Sequence, residues 1–483
     1  MRLLSALKAP FLHNGKVDKL LLAIFLGINL LVLINSILHN PEMGYDAEDH
    51  LAYIQVLPYR FPNDQDTREF FSPPLPYILP SFVDKACLSL SQDRTAPKTI
   101  DDCRKVAGKF DQFINLAMSI GITFLFIKIA ETVRPGNRFL KISSLALLGV
   151  MTVYYKTFSQ VRGETYVALF TVWAIYLIAK LINHRDQATW KDGLGLGLVL
   201  GLLGLSRQWG FMLFPAIIGL VALLWIFDTR HGWRFTKAIG TSFMIAFLVC
   251  GWFYLRLYIK YGTFLAFNRS TSEFSLSNQP LTFFRNTGLK DGLLFKVPTR
   301  STEGPLHKNF ENQFIPTFYS EMWGDYWGYF VFIRDKSYLA VNGVGNQEQI
   351  TPYLGRVNAV AVYPSLIFLG GVLVGAYSII KLFMKRPEES SRNLFYAFLF
   401  LFEILSFLIY FFFLLSYPDY IKGSTIKATY MIHALMVLPL LGAEFLEKVR
   451  AIKYQGYVIC MVLLGLVFLH NLPAMITRYF IFF

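Results

Sequence analysis

Apolar runs long enough to cross a bilayer recur from end to end of the 483-residue chain, and most polar residues fall between them. A hydrocarbon core of ~30 Å needs about 20 apolar helical residues, and a window of about 19 resolves roughly eleven such runs. They cover residues 19–38, 110–130, 139–155, 165–182, 193–208, 210–227, 238–258, 358–383, 393–416, 427–444 and 456–474. The fifth and sixth are barely parted, by Arg207-Gln208-Trp209-Gly210. The pattern predicts an all-α integral membrane protein of about eleven transmembrane helices, with one polytopic domain over residues 1–483. Two polar stretches, 39–109 and 259–357, are too long for simple connectors and are expected as large, functional loops. No internal repeat of transporter type is evident.

The positions of Lys and Arg orient the chain. With the N-terminus in the cytoplasm, the inner connections carry Arg134, Arg138 and Lys141; Arg185 and Lys191; Arg230, Arg234 and Lys237; Lys385, Arg386 and Arg392; and Lys448, Arg450 and Lys453. The short outer connections are poor in cations, as the positive-inside bias requires. Both long loops then lie outside, and an odd number of spans leaves the C-terminus there as well. Composition agrees. The chain is 54% hydrophobic and 17% aromatic, with mean hydropathy +0.43. Only 16% of it is charged, against about a quarter in soluble proteins. In a soluble chain the net charge of +14 would suggest nucleic acid; here the inner loops account for it. The basic segment Met1–Lys19 precedes the first run without a convincing small-residue cleavage site, so that run reads as a retained span.

Of four cysteines, Cys250 and Cys460 sit in apolar runs as small buried residues. Cys87 and Cys103 share the first polar loop and are a disulfide candidate, which an oxidising compartment would permit. Two cysteines in one loop leave the pairing open. Asn268-Arg269-Ser270 is a glycosylation sequon on the same side.

Chemistry concentrates in Tyr45-Asp46-Ala47-Glu48-Asp49-His50, just after the first span. Three acids and a histidine suit a general base or a divalent-cation site, with Asp46, Glu48 and Asp49 as candidates for either. The alternative is that Asp46 caps a short helix, with Glu48 and Asp49 in its first turn and Leu51, Ile54 and Leu57 as its apolar stripe. The two readings are compatible. Phe70-Phe71-Ser72-Pro73-Pro74-Leu75-Pro76-Tyr77 signals an interfacial turn and no chemistry by itself. Arg162-Gly163-Glu164 opens the fourth span from the outside, so Glu164 is either a substrate contact or a helix-dipole acid. Outward cations at Arg60, Arg68, Arg207, Lys422 and Lys427 run against the bias; each either snorkels to headgroups or meets a phosphate. The segment Glu321-Met322-Trp323-Gly324-Asp325-Tyr326-Trp327-Gly328-Tyr329 suits sugar stacking or an aromatic belt, with Trp323, Asp325 and Tyr326 as candidates. Glu403 and His433 lie within spans and receive no role.

Together these motifs resemble the C-type polytopic glycosyltransferases, and most nearly the protein O-mannosyltransferase and aminoarabinose transferase superfamily. The resemblance rests on the Tyr-Asp-x-Glu segment after the first span, the following Pro-Pro-Leu, and Arg162-x-Glu164 at a later outer helix start. Gly204-Leu205-Ser206-Arg207 is similar to the family's Gly-Leu-x-x-Lys segment. Lys427-Ala428-Thr429-Tyr430, followed by Pro439, is similar to its Lys-x-x-Tyr helix near the end. The Trp-Gly-Asp-Tyr-Trp-Gly-Tyr stretch also looks like one found in bacterial members. Many relatives carry His before Pro-Pro-Leu where this chain has Ser72, which leaves that position without an assigned role.

The resemblance implies a membrane glycosyltransferase that moves a sugar from a polyprenyl-phosphate donor to an acceptor hydroxyl on the extracytoplasmic face, with inversion. The acceptor would be a lipid, a glycan or a protein. Asp46 would be the catalytic base, with Glu48 or Asp49 as a second acid. Glu164 and Arg162 would contact substrate, and Arg207 and Lys427 would hold the lipid phosphate. A divalent cation is compatible with this chemistry but not demanded. A bacterial cytoplasmic membrane and an endoplasmic reticulum membrane both fit an oxidising outer side. The rival classes are a polytopic transporter or lipid flippase, and a non-catalytic membrane scaffold.

Overall fold

The computed structural model describes residues 9–13, 15–91, 99–267, 272–284, 312–332, 347–384, 390–419 and 423–480. The sequon at 268–270 and Lys422 lie outside these residues. In chain order the main helices are α1 (Lys19–Leu38), α2 (Ala47–Val56), α3 (Leu75–Ser91), α4 (Ile100–Val133), α5 (Arg138–Gly149), α6 (Thr152–Ser159), α7 (Glu164–Asn183) and α8 (Trp190–Gly204). Then follow α9 (Leu213–Phe227), α10 (Thr229–Tyr261), α11 (Phe314–Trp323), α12 (Gln347–Val360), α13 (Val362–Phe383), α14 (Ser390–Ser416), α15 (Leu438–Ile452) and α16 (Tyr454–Asn471). A two-residue hairpin, Leu12–His13 with Lys16–Val17, is the only strand pairing among the described residues.

The all-α membrane class is what the structure shows; the count of spans is different. Among the described residues eight helices are long and apolar enough to cross a membrane, or nine if one bent pair is a single span. Three of the eleven expected spans account for the difference. Residues 139–155 divide into α5 and α6 at Val150–Met151. Residues 193–208 fall on α8, whose 15 residues rise only about 22 Å. Residues 427–444 form the bent pair, Ala428–Leu435 and Leu438–Ile452, turned by 48°. Pro439 has no N–H to continue the helical ladder across that break. A hydropathy window measures apolar content and is blind to such breaks. The first polar stretch is also shorter than expected, because α4 begins at Ile100 behind a capping box formed by Thr99 and Asp102.

Helix contacts follow from side-chain size. Gly193, Gly197 and Gly201 line one face of α8, and a Cβ on any of them would lie within 2.7 Å of α10 atoms. This small-residue face lets the two backbones approach as closely as packing in a bilayer favours. Large apolar side chains such as Leu26, Leu30, Phe247 and Ile259 remain on the outside, where lipid solvates them. The chain is a multi-pass membrane protein.

The two ends of the bundle carry different chemistry. α1 rises about 30 Å over its 20 residues, so Asp18 and Asp46 mark opposite ends. At the Asp18 end, ion pairs tie helix termini: Arg138 to Asp18, Arg134 to Glu444 and Glu447, and Arg185 to Asp228. At the other end the N-cap of α2, the turn before α3 and the segment after α8 border a cavity. A disulfide between Cys87 and Cys103 joins α3 to α4 on that side, with Cα atoms 5.5 Å apart.

Candidate active site

The cavity is polar, about 370 Å³ in volume, and draws its walls from segments far apart in sequence. Asp46, Arg68, Glu69, Arg207 and Lys427 supply its charges. Tyr45, Trp209, Trp327, Tyr329 and Tyr430 supply most of its aromatic wall.

Asp46 occupies the N-cap position of α2 and yet makes no side-chain cap. Its backbone is left-handed, at φ 55° and ψ 26°, a region that costs a non-glycine residue roughly 1–2 kcal/mol. Short polar Asp tolerates this better than most residues. The conformation turns the carboxylate away from the helix and toward Lys427, whose Nζ donates to Oδ2 at 3.0 Å. The Lys427 ammonium holds the Asp46 carboxyl well below the usual carboxylate range, against burial, which acts upward. Burial opposes the Lys427 charge, but Tyr430 and Asp46 beside it keep its pKa above that of an ordinary lysine. Both groups are therefore charged at neutral pH.

Behind this pair lies a buried chain of alternating charge. Arg162 forks onto Glu164, with Nε to Oε2 at 2.7 Å and Nη2 to Oε1 at 2.8 Å. Arg207 donates from Nε to Glu164 Oε1 at 3.2 Å, from Nη1 to Glu69 Oε2 at 2.5 Å, and to the Ser72 hydroxyl. Ser72 also bonds Glu69. Burial raises the Glu69 pKa, but Arg207, His50 and the Ser72 hydroxyl together outweigh it and the net direction is down. Buried charges persist only when paired and hydrogen-bonded in this way. Gly163 makes the arrangement sterically feasible. A Cβ there would lie 2.8 Å from the Ser206 carbonyl oxygen and 2.9 Å from Arg207 Cγ. The Arg162-Gly163-Glu164 spacing thus lets the Arg207 segment press against the start of α7.

Of the residues expected from the sequence, Asp46, Arg68, Arg207 and Lys427 reach the cavity. Arg162 and Glu164 stand behind it as partners of Arg207 and of the aromatic wall; the Arg162 guanidinium lies 5.4 Å from the Tyr45 ring and 5.7 Å from the Tyr430 ring. Glu48 is exposed on α2. Asp49 is spoken for by Arg68, which donates Nη2 at 2.7 Å, Nε at 2.9 Å and its backbone N–H at 3.0 Å. Trp323 is fully buried and stacks on Phe368, with ring centroids 6.0 Å apart. Tyr326 is buried against Trp327. Asp325 accepts the backbone N–H groups of Tyr329, Phe330, Val331 and Phe332, so it shapes the loop. Trp327 and Tyr329, from the same segment, are the side chains that face the cavity. Glu403 and His433 lie elsewhere; among the described residues neither Glu403 oxygen has a partner, and His433 Nε2 lies 3.1 Å from Met212 Sδ.

Glu69 is the main charged group that sequence reasoning missed. It sits directly before Phe70-Phe71-Ser72-Pro73-Pro74, a run read as architecture alone. An acid flanking an aromatic run was the available signal.

Adjoining the polar cavity is an apolar groove of about 450 Å³ between the start of α9 and α14, lined by residues such as Met212, Phe274, Ile409 and Phe412. The two spaces share Gln208, Trp209 and Phe267.

No protein-family model and no curated protein matches the sequence. Three solved structures, however, resemble the chain in helix arrangement. One is the Archaeoglobus fulgidus oligosaccharyltransferase in complex with Zn and sulfate, 12% identical, matched over 94% of this chain and 53% of that one, with TM-score 0.50. A second is the oligosaccharyltransferase AglB from the same organism with an inhibitory peptide and a dolichol-phosphate, 12% identical over 95% and 56%, TM-score 0.46. A third is ArnT from Cupriavidus metallidurans bound to undecaprenyl phosphate, 13% identical over 88% and 78%, TM-score 0.31. The chain spans about half the length of the archaeal oligosaccharyltransferases it matches.

Zinc in one of these structures makes a metal worth testing against the side chains here. Among the described residues no three His, Cys, Asp or Glu side chains converge to hold an ion. The expected set of Asp46, Glu48 and Asp49 is divided: the first faces Lys427, the second solvent and the third Arg68. The residues present do not fit a preassembled metal site.

Proposed function

We propose that the chain is a membrane glycosyltransferase that moves a sugar from a polyprenyl-phosphate donor to an acceptor hydroxyl on the extracytoplasmic face. The observation that carries this reading is the Asp46–Lys427 pair in a polar cavity that opens beside an apolar groove. A carboxylate free of capping duty supplies a base; cations supply a phosphate subsite; the groove suits a prenyl tail. The shared fold supports the class, and the Cys87–Cys103 bond at the same end of the bundle supports an oxidising, non-cytoplasmic side.

In this mechanism the donor phosphate takes up Lys427 and Arg207 through charge-assisted hydrogen bonds. Lys427 then divides its donors between phosphate and Asp46. Asp46 removes the acceptor proton, and the acceptor oxygen attacks the anomeric carbon in line. The bond from that carbon to the phosphate oxygen breaks with its electron pair on the phosphate, inverting the centre. Charge gathers on the phosphate as it leaves, where the two cations are already aimed.

The test is a membrane preparation containing the full chain, given a panel of radiolabelled polyprenyl-phosphate sugars. Wild-type membranes transfer label to an acceptor, and Asp46→Asn membranes do not, at equal expression. Full activity of Asp46→Asn overturns the base assignment. Movement of labelled lipid across the membrane with no transferred sugar favours a flippase.

A further inference from the structure

Glu321 on α11 does not line the cavity, yet it connects to both members of the Asp46–Lys427 pair. Its side chain is fully buried, as is that of Lys156 on α6. Lys156 Nζ bonds the Glu321 carboxylate and also donates to the Glu321 carbonyl oxygen at 2.8 Å, fixing side chain and backbone together. On one side, the Tyr45 hydroxyl donates to the same carboxylate. Tyr45 stands between Gly44 at φ 153° and Asp46 at φ 55°, so its bond to Glu321 anchors this unusual turn in the protein interior. The Tyr45 ring lies 4.9 Å from Lys427 Nζ, which places it under the ammonium that meets Asp46.

On the other side, Glu321 Oε2 accepts the Trp327 backbone N–H at 3.3 Å. The Trp327 indole donates to the Ile426 carbonyl at 2.9 Å, one residue before Lys427. Two short chains of contacts therefore leave one carboxylate and end on the two charged partners. Both run through buried groups, and the hydrogen bonds in them are directional.

We propose that Glu321, held by Lys156, is a positioning residue that sets the spacing of Asp46 and Lys427 through Tyr45 and Trp327. This rests on the reading of that pair as base and phosphate cation. It also gives the second large loop a defined role, because a segment of that loop then tunes a base that belongs to the first.

Removing Glu321 alone would leave Lys156 buried without a partner, so the paired change Lys156→Met/Glu321→Gln is used, with Tyr45→Phe as an independent probe that deletes only the hydroxyl. Two readouts are taken on the purified full chain. The first is transfer from the donor identified in the membrane assay. The second is the rate at which acetyl N-hydroxysuccinimide modifies Lys427, followed by peptide mass spectrometry across pH. Both variants are expected to lower kcat about 10-fold or more with KM for the donor changed less than about 3-fold, and to speed Lys427 acetylation several-fold as it loses Asp46. Their effects should be less than additive when combined, because they cut one network.

Wild-type kcat and wild-type Lys427 reactivity in Tyr45→Phe overturn the proposal, whether or not the paired variant folds. An equal rise in KM and fall in kcat, with Lys427 reactivity unchanged, assigns these residues a packing role and also overturns it. An active Asp46→Asn enzyme would instead sink the base reading, and the acetylation readout would still report on the spacing.

Discussion

Asp18 and Asp46 are the same residue type at the same position of two helices, and they do opposite things. Asp18 caps α1 in ordinary extended geometry, accepting the Leu21 N–H at 3.3 Å and Arg138 at 2.5 Å. Asp46 sits at the N-cap of α2 in left-handed geometry, caps nothing, and offers its carboxylate to Lys427 across a cavity. At one end of the bundle the acid stabilises the helix. At the other the helix start forgoes a contact usually worth ~1 kcal/mol, and the chain holds a strained turn besides. Stability given up at one point, with the freed group facing a cavity, is the pattern expected of a functional side chain.

The sharpest break in this comparison is a pair of matched substitutions. Asp46→Asn keeps the shape and the tolerance for left-handed backbone but removes the base; transfer should fall by about 10²–10⁴. Asp18→Ala should leave transfer intact. Sugar transfer measured on both at equal expression decides it; transfer kept in Asp46→Asn, or lost in Asp18→Ala, would reverse the assignment.

Arg207→Lys comes next. Lysine keeps the charge but cannot fork between Glu164 and Glu69, so transfer should drop about 10²-fold, with donor KM raised. Unchanged kinetics would show that Arg207 serves only the buried network.

The pH profile sharpens the electrostatic half of the contrast. Lys427 depresses the folded pKa of Asp46, so the stabilisation from this pair is present above the unfolded pKa of ~3.9 and is lost as pH falls through the folded value. The acid limb of kcat/KM should therefore lie below about pH 4. In Lys427→Met the limb should move upward, because the main charge that opposes burial at Asp46 is then gone. The kcat limb of the wild type should lie above its kcat/KM limb, since bound phosphate competes for Lys427. A limb that ignores Lys427→Met would remove Asp46 as the titrating base.

The smallest effect belongs to Asp18→Ala: about 1–2 kcal/mol of stability from a lost cap and a half-exposed ion pair, read as a lower unfolding midpoint.

Much of the architecture was legible in one dimension. Eight of the expected spans correspond to long apolar helices, because burial in lipid demands uninterrupted apolar composition, and composition is local. The breaks in the other three were harder to read. The divide at Val150–Met151 carries no proline, and α8 ends where Arg207 must reach the cavity. Within the site, Asp46 stood out in a cluster of acids, and Arg207 and Lys427 as cations on the side where the positive-inside bias makes them scarce. Glu69 and Lys156 did not, since each looks like an ordinary residue beside an apolar run. Trp323, Asp325 and Tyr326 announced themselves and then served the core and the loop, while Trp327 and Tyr329 faced the cavity; a two-residue difference around a tight turn is invisible to composition.

The sequence by itself thus determined the membrane class, the long spans and the loops that hold the charges. Only the tertiary structure decided which charges meet. Asp46 and Lys427 are 381 positions apart, and Tyr45 and Glu321 are 276 apart. Pairings of that range depend on how helices pack and where backbones can approach. The deciding features, Gly163 beneath Arg207 and the left-handed turn at Asp46, exist only once the chain has folded.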